Sequence, residues 1–212
     1  MNNLQSIVSH FNTKGTVNEI QPLGSGLIND TYKVTTLEAD APDYVLQRVN
    51  HAIFQNVEML QANIEAVTRH IRKKLVEQGA DDIDRKVLSF IPADTGKTYW
   101  YDGENYWRIM TFIPNAKTYE TVDAEYSYYA GVAFGNFQAM LADIPDELGE
   151  TIPDFHNMEF RLKQLRDAIV ADAVGRVKEV VYYLDEIEKR AKEMCKACLL
   201  YTSPSPRDKR QS

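Results

Sequence analysis

Apolar positions along this chain change their period several times, and each change marks an element. Leu4, Ile7, Val8 and Phe11 fall at i, i+3, i+4 and i+7, one face of a short amphipathic helix that ends before Lys14 and Gly15. Val17, Ile20 and Leu23 then lead to Gly24-Ser25-Gly26, and the chain leaves through Thr31, Tyr32 and Val34, which predicts a hairpin with a glycine tip. A turn from Ala39 to Asp43 precedes Tyr44-Val45-Leu46-Gln47-Arg48-Val49, a third strand. Val57, Leu60, Ile64, Val67, Ile71 and Leu75 return to helical spacing over residues 55–79, with Gly79 as the expected C-cap.

Residues 87–91 form a short apolar run, and the pair Thr98-Tyr99-Trp100-Tyr101 and Tyr106-Trp107-Arg108-Ile109-Met110, joined at Asp102-Gly103, predicts a hairpin. The expectation is a five-stranded antiparallel sheet with one long helix inserted after its third strand. Pro114 closes that unit, because proline cannot continue a strand ladder. From Asp123 the pattern is helical, with Tyr129, Val132, Phe137, Met140 and Leu141 on one face, and Tyr126, Tyr129, Phe134 and Phe137 read as core. Two more helices are expected, at 160–171 and 177–194. The domains read as 1–113, a sheet lobe; 114–197, the start of a helical lobe; and 198–212, a tail.

Composition narrows the partners. A net charge of −7 repels nucleic-acid backbones and anionic membranes, so a small molecule or a protein is the expected partner. The N-terminus carries no cationic stretch followed by an apolar core of signal length, and no run approaches the roughly 20 apolar residues that span a bilayer, which reads as cytoplasmic. The two cysteines, Cys195 and Cys198, are half of a zinc site at most. From Cys198 onward the segment Cys198-Leu199-Leu200-Tyr201-Thr202-Ser203-Pro204-Ser205-Pro206 loses the preceding periodicity and resembles the translation of a sequencing adapter, so it is expected to be a non-native, disordered tail on a truncated chain.

A glycine hairpin by itself is weak evidence of chemistry. Its order with a third strand, a long helix, two more strands and a helical lobe is that of a protein-kinase-like α+β fold. The stretches Gly24-Ser25-Gly26-Leu27-Ile28-Asn29-Asp30-Thr31-Tyr32, Tyr44-Val45-Leu46-Gln47-Arg48-Val49-Asn50, Asn63-Ile64-Glu65-Ala66-Val67-Thr68, Trp107-Arg108-Ile109 with Phe112-Ile113, Phe134-Gly135-Asn136-Phe137-Gln138, and Phe155-His156 with Arg161 carry a resemblance to the aminoglycoside phosphotransferase and choline kinase superfamily. Within it the chain looks most like the N-acetylhexosamine 1-kinases. The resemblance implies ATP and Mg²⁺ as cofactors and an amino sugar, or another small hydroxyl compound, as acceptor.

Phosphoryl transfer needs a backbone cradle, a cation and an acid that holds the cation. Gly24, Ser25 and Gly26 are the expected cradle. Leu46 and Arg48 share a face by the period of two, which suggests an apolar contact for adenine and a cation for the phosphates, with Glu65 as the partner of Arg48; kinases usually place a lysine on this strand, and here Arg48, or alternatively Gln47, occupies that position. Thr111, Phe112 and Ile113, after Met110, are the expected hinge at the adenine, and His156 is a candidate near the sugar. The superfamily's His-x-Asp catalytic loop does not occur: His10, His51, His70 and His156 are followed two positions later by Asn12, Ile53, Arg72 and Met158. The chain is therefore expected to be inactive as it stands and to carry the nucleotide-binding part of a kinase. The alternatives are a kinase for choline, homoserine or an aminoglycoside, and a non-catalytic module that holds nucleotide or a partner.

Overall fold

A computed structural model describes residues 4–24, 26, 28–117, 119, 121–155 and 157–201, with side chains as far as residue 196. The chain divides between Thr151 and Ile152 into two compact units.

The first unit opens with α1 (Leu4–Val8), β1 (Val17–Pro22), β2 (Asp30–Thr36) and β3 (Tyr44–Val49). The long helix α2 (Val57–Glu77) follows, then a single turn α3 (Ile83–Lys86), β4 (Phe90–Ile91), β5 (Trp100–Tyr101), β6 (Tyr106–Thr111) and α4 (Ala124–Leu141). The sheet is antiparallel, in the order β1-β2-β3-β6-β4, and β5 also pairs with β6. Six strands thus stand where five were expected. The two accounts meet on β6: Phe90 and Ile91 pair with Met110 and Ile109, whereas Trp100 and Tyr101 pair with Trp107 and Tyr106. One edge of β6 is therefore covered by two short pieces in succession.

Register sorts the side chains, because residues directly opposite one another project from the same face. One face carries the line Tyr32, Leu46, Ile109 and Ile91, with Val34 and Tyr44 beside it. Ile7, Val8 and Phe11 pack in the same cluster, where Leu46 and Ile109 have no exposed surface and Val34 none either. Each such side chain contributes about 1.5–3 kcal/mol on leaving water. The α1 face is thus the dry core of the sheet. The other face carries Lys33, Val45 and Met110 on one line and Thr31, Gln47 and Arg108 on the next.

Helix α2 begins at Asn56, whose side chain accepts the Met59 N–H at 2.9 Å, and is followed by Gly79, whose φ of +65° is a left-handed conformation that glycine adopts without strain. The helix itself closes at Glu77 with Gln78 as its C-cap, so the expected cap glycine lies one residue beyond the cap. Ile71 and Leu75 of α2 form a second apolar cluster with Val87, against which Met140 and Leu141 of α4 lie. The C-terminal end of α4 is held by two α2 side chains: His70 Nε2 lies 3.0 Å from the Met140 carbonyl, and Lys74 Nζ donates to it at 2.8 Å. A cation there suits the negative end of the helix dipole.

The aromatic stripe of α4 is not core. No residue of that helix is buried, and Tyr128 and Phe134 are 68% and 71% exposed. Helical spacing shows that a face is apolar, but not that another element covers it.

The second unit holds α5 (Met158–Ala171), a short 3₁₀ turn at Val177–Glu179 and α6 (Val181–Tyr201). Asn157 caps α5 by accepting the Phe160 N–H at 3.0 Å, Leu162 is buried, and Arg166 clamps Glu188 of α6 through two bonds of 2.8 and 2.7 Å. The helical backbone of α6 runs through Cys198 to Tyr201, so it does not break where the sequence pattern changes. Among the described residues no helix is long and apolar enough to cross a membrane.

Candidate nucleotide site

The glycine hairpin forms. Leu23 N–H donates to the Thr31 carbonyl at 2.8 Å at its neck, and Gly24 takes φ +73°, open to glycine at little cost. Gly24 and Gly26 are both exposed, which leaves backbone accessible at the tip. Ser25 lies outside the described residues, and so does His156.

Leu46 and Arg48 share a face, as the period of two requires, but it is the α1 face. Leu46 is wholly buried against α1 and offers no surface to an adenine. Arg48 stands opposite Asp30 in the ladder and bonds it through Nε at 2.6 Å and through Nη2, with Nη1 reaching Asn105 Oδ1 at 3.3 Å. The expected Arg48–Glu65 pair does not form. Glu65 instead accepts a hydrogen bond from Thr98 Oγ1. The parity of a strand tells which residues lie together but not which side the long helix takes, and here Leu46 and Arg48 lie on the side away from Glu65. Arg48 does line a polar cavity of about 350 Å³ with Asp30, Asn50, His51 and Asn105.

The α2 side of the sheet holds a continuous polar network. Arg108, opposite Gln47 in the ladder, donates from Nε to Gln47 Oε1 at 3.0 Å and from Nη1 to Gln61 Oε1 at 2.9 Å. Gln61, on α2 and 1% exposed, donates from Nε2 to the Thr98 carbonyl at 3.1 Å and to Thr98 Oγ1 at 3.0 Å. Thr98 in turn links to Glu65, and Gln47 Nε2 donates to Thr31 Oγ1 at 3.0 Å. Every buried polar atom here has a partner, as a low-dielectric setting demands. The charge does not: among the described residues Arg108 touches amide oxygens and the Phe90 ring, centred 5.6 Å away, but no carboxylate. Burial accordingly pushes its pKa down to about 10.

At the end of β6, Thr111 N–H donates to the Ser89 carbonyl at 3.0 Å and Phe112 N–H to the Asp43 carbonyl at 2.9 Å. Of the three expected hinge residues, only Ile113 has an N–H for which no partner is found among the described residues. Lys33 stands 4.3 Å from the centre of the Phe112 ring and pairs with Asp43 at 3.0 Å. Val45, half-buried between Lys33 and Met110 in register, is the apolar position that faces this side.

Arg108, Gln61 and Thr98 were given no role by sequence reasoning. The signal was an arginine inside an otherwise apolar strand, Tyr106-Trp107-Arg108-Ile109-Met110, which only a face with polar partners tolerates. Among the described residues no group of three or more His, Cys, Asp or Glu side chains is arranged to hold a metal.

A crystal structure of a spectinomycin phosphotransferase in complex with ADP and spectinomycin is similar to this chain with a TM-score of 0.47 and 10% identity, over 90% of this chain and 57% of that one. The chain therefore spans little more than half the length of that protein. Residues 19–205 match the APH family, described as the phosphotransferase enzyme family, a match that begins in β1, takes in the whole sheet and its long helix, and extends past Cys198. Matched over most of its length, with the sheet and helix order just described, the chain belongs to the phosphotransferase enzyme family.

Proposed function

We propose that this chain is the nucleotide-binding part of an ATP-dependent small-molecule kinase, with the nucleotide on the α2 face of the sheet. Family membership supplies the reaction class, and the half-buried cation at Arg108, with no carboxylate against it, is the observation that carries the choice of face. In this reading Val45 takes the apolar contact with adenine that Leu46 cannot reach, and the hinge Thr111, Phe112 and Ile113 offers its remaining donor at Ile113. Gly24, Ser25 and Gly26 close over the phosphates with their N–H groups. Glu65 acts through Thr98 and Gln61 rather than by a direct ion pair.

The acceptor we propose is an N-acetylhexosamine phosphorylated at its anomeric hydroxyl. That rests on the sequence resemblance, which also leaves choline, homoserine and aminoglycosides as alternatives. ATP would bring Mg²⁺ with it, held largely by its own phosphates.

Calorimetric titration of the chain with ADP tests the nucleotide reading. Binding that Val45→Trp abolishes and Arg48→Gln leaves intact is expected, whereas the reverse pattern would return the nucleotide to the α1 face. ADP release from ATP with N-acetylglucosamine is expected to stay at background, because the sequence has no His-x-Asp to orient the acceptor hydroxyl. Turnover above background would show that another group performs that task.

A further inference from the structure

Phosphoryl-transfer sites need a fixed positive charge near the phosphates, and the position on β3 that looks across at α2 is here Gln47, a neutral amide. The charge is present one strand away. Arg108 lies directly opposite Gln47 in the β3–β6 ladder and is bonded to it, so the two side chains occupy neighbouring points on one face. We infer that Arg108 is the phosphate-binding cation of this protein, and that Gln47 and Gln61 are positioning residues that aim its guanidinium. This inference rests on the reading that nucleotide occupies the α2 face.

Four observations support it. Both acceptors that hold Arg108 are amide oxygens, which fix the direction of the fork without neutralising it, so its charge remains available to an anion. Gln61 is itself locked by two bonds to Thr98 and is almost completely buried, so the aim is rigid. The other arginine at this end of the sheet, Arg48, is already engaged by Asp30. A guanidinium with Nε and Nη1 fixed keeps Nη2 as a donor for which no partner is found among the described residues. That is the geometry of a side chain held ready for an oxyanion.

The test is the ratio of ADP affinity to adenosine affinity, measured by calorimetry on the whole chain. This ratio isolates the phosphate contribution from the adenine contribution. Arg108→Gln is expected to lower the ratio by about 10- to 100-fold while adenosine affinity holds, the size of a lost charge-assisted bond. Arg48→Gln is expected to leave it unchanged. A ratio unaltered in Arg108→Gln overturns the inference while the nucleotide reading stands. A wild-type chain that binds neither ligand overturns both.

Since Arg108→Gln alters a buried network, the double variant Gln47→Lys with Arg108→Gln is the second arm. It moves the cation across the ladder to the adjacent strand, and recovery of at least a tenth of the wild-type ratio is expected. A folded double variant that recovers nothing, alongside an unfolded single variant, would count against Arg108 as a transferable charge and overturn the assignment.

Discussion

The two faces of the one sheet are built on opposite principles. On the α1 side Leu46, Ile109, Val34 and Tyr44 are buried together with Ile7, Val8 and Phe11, and the arrangement is apolar throughout its centre. On the α2 side, one residue along the same strands, Gln47 and Arg108 meet Gln61, Thr98 and Glu65 in a chain of hydrogen bonds. Burial of hydrocarbon stabilises without direction, whereas a half-buried arginine held, among the described residues, by amide oxygens costs desolvation that its partners do not fully return. A face that carries such a group is kept for something other than stability. The contrast separates an apolar face that holds the fold from a polar face, the one proposed above for nucleotide.

Adjacent substitutions on β3 break the comparison most sharply. Leu46→Ala is expected to cost about 2–5 kcal/mol in a urea titration, because it opens a cavity in the α1 core. If the cost were no greater than that of Gln47→Ala next to it, the two faces would not differ as described. Gln61→Leu should come next, at about 1–3 kcal/mol, because it strips Arg108 Nη1 and the Thr98 carbonyl of partners inside the unit. Thermal melting of this variant should also lose cooperativity between α2 and the sheet before any loss in α1.

A smaller effect is expected at the β5–β6 turn. Partial burial opposes the charge of Asp102, but N–H donors from Asn105, Trp107 and Glu104 outweigh it and hold its pKa below the usual 3.8. A lowered folded-state pKa means that the contribution is complete above the unfolded value and is lost as pH falls through the folded one. Asp102→Asn should therefore cost about 1 kcal/mol near neutrality and flatten the stability curve below about pH 4. A wild-type acid limb that persists in the variant would assign that limb to other carboxylates. Arg48→Gln should do least, about 0.5 kcal/mol or less, since the Arg48–Asp30 pair is close to half exposed on both sides. A loss above 2 kcal/mol in denaturant titration would make Arg48 a structural part of the α1 face.

Much of this was legible in the chain. Apolar spacing marks α1, α2 and the strands close to where they lie, and α2 closes at the cap Gln78, one residue before the glycine expected to cap it. The glycine hairpin was legible because only a residue without Cβ takes φ +73° easily, as Gly24 does. The residues that build the α2-face network were not. Gln61 reads as an ordinary polar helix residue, and Thr98 as the start of a strand, until the sheet brings both within bonding distance of Arg108 or its partner. The α4 stripe failed in the opposite direction, since its apolar face was plain while its exposure was not.

The sequence by itself determined most of the elements and their order, because periodicity and turn residues are local properties carried along the chain, and its motif stretches carried the resemblance to the family, but the short β4 and α3 were not among what it showed. Only the tertiary structure decided which face of β3 meets α2, and therefore that Gln47 and Arg108 rather than Leu46 and Arg48 look toward the helix. A strand's alternation is symmetric between its two sides. The choice between them is made by where α1 and α2 pack, through contacts between residues far apart in the chain, such as Gln61 with Arg108, 47 positions apart, and Gln47 with Arg108, 61 positions apart.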